Sequence, residues 1–93
     1  MNTEKLPKVS LDQMTLYHFE GCPFCDYTRR VMDKLGIELE LRNIHQNREY
    51  YDELVQGGGS SMVPCLKLIL PDDSVYWMYE SRDIAEYLSH HFS

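Results

Sequence analysis

The period of apolar and polar positions changes along this chain, and the changes mark its elements. Thr15 to Phe19 is a short β-branched and aromatic run closed by a glycine and a proline, which predicts a buried strand. From Pro23 to Leu35, apolar side chains recur at Phe24, Tyr27, Val31 and Leu35, while Arg29, Arg30, Asp33 and Lys34 lie elsewhere. That spacing predicts an amphipathic helix with those apolar residues facing inward, stopped by Gly36 at its C′ position. Ile37 to Arg42 alternates strictly between apolar and charged residues, as on a half-covered edge strand. Arg48 to Gln56 reads as a second helix that turns Tyr51, Leu54 and Val55 inward and ends at a glycine run. Cys65 to Leu70 and Val75 to Tyr79 are strands joined by the turn formers Pro71-Asp72-Asp73-Ser74, hence a hairpin. Ser81 is placed as the cap of a last helix, with Asp83 in its first turn and Ile84, Leu88 and Phe92 facing inward.

The order βαβ, helix, ββ, helix predicts a right-handed crossover followed by an antiparallel hairpin. A four-stranded mixed sheet flanked by helices accommodates it in so short a chain: an α/β (α+β mixed sheet) fold that resembles the thioredoxin-like arrangement. At 93 residues, with 43% apolar and 26% charged residues, the chain has the size and make-up of one small domain. That domain is expected over 15–93, behind a loose leader over 1–14 that has no apolar core of a signal peptide. A net charge of −6 argues against nucleic acid and against an anionic membrane surface. No stretch approaches the length of a transmembrane span.

The chemistry concentrates at Cys22-Pro23-Phe24-Cys25, between the first strand and the first helix. Two thiols at this spacing, where a strand turns into a helix, suit thiol–disulfide exchange. With Cys22 at the N-cap and Pro23 at N1, the Cys22 sulfur faces the free N–H groups and the positive end of the helix dipole, which favours thiolate over thiol. Cys25, inside the first turn, is less exposed and is placed as the resolving thiol. The three cysteines do not form the even, spread-out set of a secreted framework, and a reducing compartment, the cytoplasm, is expected. A zinc half-site has the same spacing. It would need two more ligands, and Cys65 and His18 form neither a second C-x-x-C nor an H-x₃-H.

Three further positions have two readings each. Pro64 is either an ordinary proline at a strand start or a cis proline whose preceding residue, Val63, can pair through its backbone with an extended peptide. Ser81 is either a plain cap or, with Glu80, a site for an α-amino-acid end, the helix N-terminus taking the carboxylate and Glu80 the ammonium. Cys65 is either a small core residue or a third thiol near the site. The four histidines form no triad, and His90-His91 reads as a frayed C-terminus.

Leu16-Tyr17 before Gly21-Cys22-Pro23-Phe24-Cys25, then Val63-Pro64, then Glu80-Ser81-Arg82-Asp83-Ile84-Ala85-Glu86-Tyr87-Leu88, resemble the glutaredoxins of the thioredoxin superfamily. The last stretch looks more like the glutathione-binding domain of glutathione transferases than like the Gly-Gly-x-Asp-Asp form of small glutaredoxins. The resemblance implies glutathione as reducing co-substrate and no metal. It makes Cys22 the nucleophile and Cys25 the resolving thiol. It also implies a glutathione site over Phe24, Met62, Val63, Pro64, Glu80 and Ser81, with Pro64 cis. Phe19 stands where many small glutaredoxins carry a lysine, and Arg42, Arg48 or Gln56 are the candidates to replace it. Met62 stands where a threonine is usual.

The expected function is glutathione-dependent reduction of protein disulfides and glutathione mixed disulfides by a monomer. Two other classes compete: an iron–sulfur cluster-binding module of glutaredoxin type, and a thioredoxin-like electron donor that does not use glutathione. An isomerase of the kind that also carries a C-P-F-C motif is a third option.

Overall fold

The computed structural model describes residues 6–92. Its elements are β1 (Met14–His18), α1 (Pro23–Leu35), β2 (Glu40–Asn43), α2 (Arg48–Glu53), β3 (Cys65–Ile69), β4 (Val75–Met78) and α3 (Ser81–Phe92). The four strands form one sheet in the order β2-β1-β3-β4, with β1 parallel to β2 and antiparallel to β3, and β3 antiparallel to β4. The fold class is the one expected from the element order. No helix among the described residues is long and apolar enough to cross a membrane.

Strand alternation splits the core into two layers. Met14, Leu16, Leu66 and Leu68 pack with Met32 of α1 and with Ile84 and Leu88 of α3. On the opposite side of the sheet, Tyr17 and Cys65 pack with Ile44 and with Leu54, which follows α2. Tyr17 is tied there through its hydroxyl, which donates to Glu53 at 2.9 Å.

Several boundaries and faces differ from those expected. Helix α1 has the predicted span, and Gly36 caps it at φ 70°, with its N–H and that of Ile37 bonded to the Asp33 and Met32 carbonyls at 3.1 Å. Its buried face, however, is Cys25, Thr28 and Met32, whereas Phe24 and Tyr27 are exposed. Once Cys22 is the N-cap, the first turn carries Cys25 onto the sheet, and the whole inward stripe follows it by 3.6 residues per turn. The β1 strand starts one residue early, at Met14, and ends at His18. Strand β2 is the edge strand foreseen, but pairing begins only at Glu40, opposite Thr15. Ile37, buried, enters the core ahead of it.

Helix α2 is shorter than expected and widens into a π-type turn over Leu54–Gly58. The glycines there do more than end a helix. A Cβ at Gly57 would collide with the Trp77 ring, and one at Gly58 with the Tyr79 hydroxyl, so the backbone lies directly on Trp77 of β4 and on Tyr79 just beyond it. At α3, the Glu80 carbonyl accepts the Ile84 N–H at 2.9 Å, which makes Glu80 the cap and Ser81 the first helical residue.

Within the leader expected over 1–14, some of the described residues pack into the core, while Pro7, Lys8, Ser10 and Asp12 are exposed. Val9 and Met14 are buried, and the Tyr87 hydroxyl donates to the Pro7 carbonyl at 2.6 Å. Residues 1–5 lie outside the described residues. His91, read as frayed, packs on Tyr87 at 4.6 Å between ring centroids, with Nε2 3.2 Å from the Leu6 carbonyl. Isolated apolar residues in an aperiodic segment carry no element signal, and the core that buries Val9 and Met14 is assembled from the sheet, α1 and α3 together.

Candidate active site

The strand register gathers the candidate residues at one end of the sheet. Tyr17 pairs with Cys65, so Val63 and Pro64 lie beside the end of β1, where the chain turns toward Cys22. Leu66 pairs with Met78, so the Glu80-Ser81 start of α3 emerges at the same end. His18 pairs in parallel with Asn43, which brings the segment after β2 there too. Four connections, remote in sequence, thereby meet around one helix N-terminus.

Cys22 occupies the N-cap of α1 with extended backbone, and its sulfur accepts the Cys25 N–H at 3.3 Å. Pro23 follows at the first helical position, where its missing N–H is no loss. Both thiols are free. Cys25 is fully buried, and burial, reinforced by its bond to Cys22, pushes its thiol up to about 12. The two sulfurs are thus unlike: one caps a helix and the other is held protonated beneath it. Arg29 ties the first turns to the preceding loop by pairing with Asp26 and, at 3.2 Å, with Glu20.

Around this pair, the Val63–Pro64 bond is cis, the second of the two readings that spacing left open and the one the family resemblance implied. Pro64 is buried and Val63 half-buried. Met62 and Phe24 are 62% and 64% exposed, so both present apolar surface to solvent. Glu80 is exposed and Ser81 half-buried at the start of α3. Cys65 belongs to the core: it points into the α2 layer with Tyr17 and Leu54, and burial pushes its thiol up to about 12. It therefore stands on the opposite side of the sheet from Cys25 and adds no third thiol to the site.

A sequence model of the glutaredoxins matches residues 14–68, more than half of the chain. The chain belongs to the glutaredoxin family. Solved glutaredoxins share its fold. A wheat glutaredoxin superposes with a TM-score of 0.61 at 16% identity, over 84% of this chain and 71% of that one. The Brucella melitensis glutaredoxin gives 0.55 at 15% identity over 90% and 85%, and the Archaeoglobus fulgidus glutaredoxin 0.59 at 19% over 85% and 88%. No curated protein sequence matches the chain.

In this glutaredoxin, two cations considered as replacements for the missing lysine are already engaged. Arg42 pairs with Glu40 and Glu53 beside the Tyr17 ring, and Arg48 pairs with Asp52 at 3.2 Å. Phe19 is instead covered by His45, their rings stacked at 4.2 Å and 17°. Sequence reasoning missed His45, because only the parallel β1–β2 register brings residue 45 to that end of the sheet.

Proposed function

We propose that this glutaredoxin is a glutathione-dependent thiol–disulfide oxidoreductase working through Cys22 and Cys25. The observation that carries the reading is the capping bond from the Cys25 N–H to the Cys22 sulfur, with Cys25 buried one turn inside. Helix N–H groups aimed at a sulfur stabilise negative charge on it, which is what a nucleophilic thiol needs.

In the cycle, Cys22 attacks one sulfur of a disulfide. A new S–S bond forms to Cys22, the old one breaks, and the leaving thiolate departs with its electron pair and is protonated. From a glutathione mixed disulfide this leaves glutathione on Cys22, and a second glutathione displaces it as glutathione disulfide. From a protein disulfide, Cys25 attacks the Cys22 adduct, releases the reduced protein and leaves a Cys22–Cys25 disulfide for glutathione to reduce. Glutathione would lie along Val63 through its backbone, beside Pro64. Glu80 would take the γ-glutamyl ammonium, and Ser81 with the α3 N-terminus the α-carboxylate. The exposed Phe24 and Met62 side chains would meet the apolar parts of the substrate. Partners are glutathione and disulfide-containing or glutathionylated proteins in a reducing compartment such as the cytoplasm, with the protein acting as a monomer.

The test is turnover of a glutathione mixed disulfide, coupled once to glutathione with its reductase and once to thioredoxin reductase. Turnover with glutathione alone is expected. Turnover with thioredoxin reductase alone would keep the cysteines and discard the glutathione site. Failure of both, with visible absorbance after anaerobic purification, would replace the reading by a cluster-binding module.

A further inference from the structure

The four connections that meet at the site stand in a row fixed by the sheet. Strand order β2-β1-β3-β4 sets them as His45 after β2, Phe19 to Cys22 after β1, Val63-Pro64 before β3 and Glu80-Ser81 after β4. Neighbouring strands lie about 4.8 Å apart, so the ends of the row are about 14 Å apart. An extended tripeptide reaches about 11 Å, and a γ-linkage through two further carbons lengthens it toward the same span. A glutathione with its γ-glutamyl end at Glu80-Ser81 and its middle residue along Val63 therefore directs its glycine away from β4. Its terminal carboxylate arrives where Phe19 and His45 stand.

At that end, one group is ready for an anion. The rings of Phe19 and His45 stack at 4.2 Å between centroids and 17° between planes. Phe19 is half-buried against the core layer on the α2 side, and it stands three residues before Cys22, within about 11 Å of chain. The turn that carries His45 is pinned: the Ile44 N–H donates to the His18 carbonyl at 2.9 Å, and the His45 N–H to Asn43 Oδ1 at 2.9 Å. The imidazole is thus held by one face. His45 is nonetheless exposed, and its ring nitrogens make no hydrogen bond or ion pair among the described residues. The arginines of β2, α2 and the early turns of α1 are committed elsewhere: Arg42 to Glu40 and Glu53, Arg48 to Asp52, and Arg29 to Asp26 and Glu20. Gln56, in the wide turn after α2, offers a hydrogen bond but no charge.

We propose that His45, seated on Phe19, receives the glycyl carboxylate of glutathione, and so selects thiols that carry a carboxylate one residue beyond the reacting cysteine. The proposal rests on the glutathione reading above. A neutral imidazole donates one N–H to a carboxylate, and a protonated one adds its charge to the bond. The stack sets the plane of the ring in advance, so little rotamer freedom is lost when the carboxylate arrives. His45 acts on specificity and not on the exchange step: it holds the far end of the ligand while Cys22 meets the sulfur.

The experiment compares two mixed disulfides of one reporter thiol, the first made with glutathione and the second with glutathione amidated at its glycine. The second-order rate at which Cys22 of the full-length protein takes up the tripeptide is read in single turnover. Wild type should favour the carboxylate form roughly fivefold, the scale of one charge-assisted bond at an exposed site. His45→Ala should lose that preference by falling to the amide rate, and His45→Lys should keep it. A ratio of two substrates is insensitive to a loss of folded protein, which slows both alike. Equal rates for the two forms in wild type, a preference that survives His45→Ala, or one that disappears in Gln56→Ala instead would overturn the assignment to His45. If wild-type Cys22 takes up neither tripeptide, the glutathione reading itself fails.

Discussion

The Cys22 sulfur accepts the backbone N–H of Cys25 at 3.3 Å, so the two cysteines are joined by a helix cap and not by a disulfide. One residue thereby supplies both the cap and the candidate nucleophile, and its partner is buried in the first turn.

The unlike settings predict unlike mutants. Cys22→Ser should abolish turnover of every disulfide substrate, whereas Cys25→Ser should retain deglutathionylation and lose most reduction of protein disulfides. Steady-state assays on a glutathionylated peptide and on a protein disulfide separate the two. Equal loss of both activities in Cys25→Ser would show that the roles are misassigned.

Glu80→Gln and Ser81→Ala should weaken glutathione and little else. An ammonium or carboxylate partner removed at a half-exposed site costs about 1 kcal/mol, a rise of roughly fivefold in the glutathione KM. The rate of Cys22 with a neutral aromatic disulfide should stay at the wild-type value. A fall in that rate, with glutathione KM unmoved, would place these residues in the helix cap alone.

Stability should decline at alkaline pH. The Cys25 and Cys65 thiols are held up to about 12 against an ordinary 9.0, and the Tyr17 hydroxyl up to about 12 against 10.0. Between those values the unfolded chain loses protons that the folded one keeps, so the stabilisation, full below pH 9, drains as pH rises toward 12. Urea midpoints of the reduced protein should be flat from neutrality to about 9 and fall beyond, less steeply in Cys65→Ala. A midpoint that rose above pH 9 would contradict the assignment of these thiols to dry surroundings.

Gly58→Ala should destabilise the fold by about 1–3 kcal/mol, the usual cost of overpacking. The added methyl meets the Tyr79 hydroxyl, which itself donates to the Ser60 carbonyl at 3.2 Å. Tyr79→Phe removes the colliding oxygen, so the double variant should lose less than the two single losses added together. Strict additivity in chemical denaturation would mean that the loop moves aside without touching Tyr79.

Much of the fold was legible because its signals are local. The helix from Pro23 to Leu35 needed only a cap, a proline and a left-handed glycine, and the β3–β4 hairpin needed only its turn formers. What failed was rotational. Of the stripe Phe24-Tyr27-Val31-Leu35, Leu35 packs against the core as expected, but Phe24 and Tyr27 are exposed and the fully inward positions are Cys25, Thr28 and Met32. The packed segment before β1 was illegible for a different reason: Val9 and Pro7 find their partners on the far terminal helix.

The sequence by itself determined the element order and the candidate pair Cys22 and Cys25, which follow from residues close together in the chain, and the family, which follows from short motifs whose order along the chain is enough. Only the tertiary structure decided how the other candidate residues are placed around that pair. The sheet register brings Val63-Pro64, Glu80-Ser81 and the Phe19–His45 stack to one end, sends Cys65 to the opposite face, and leaves His18 buried without a partner. Those relations join residues tens of positions apart, and their energy exists only once the strands are paired and the two layers closed.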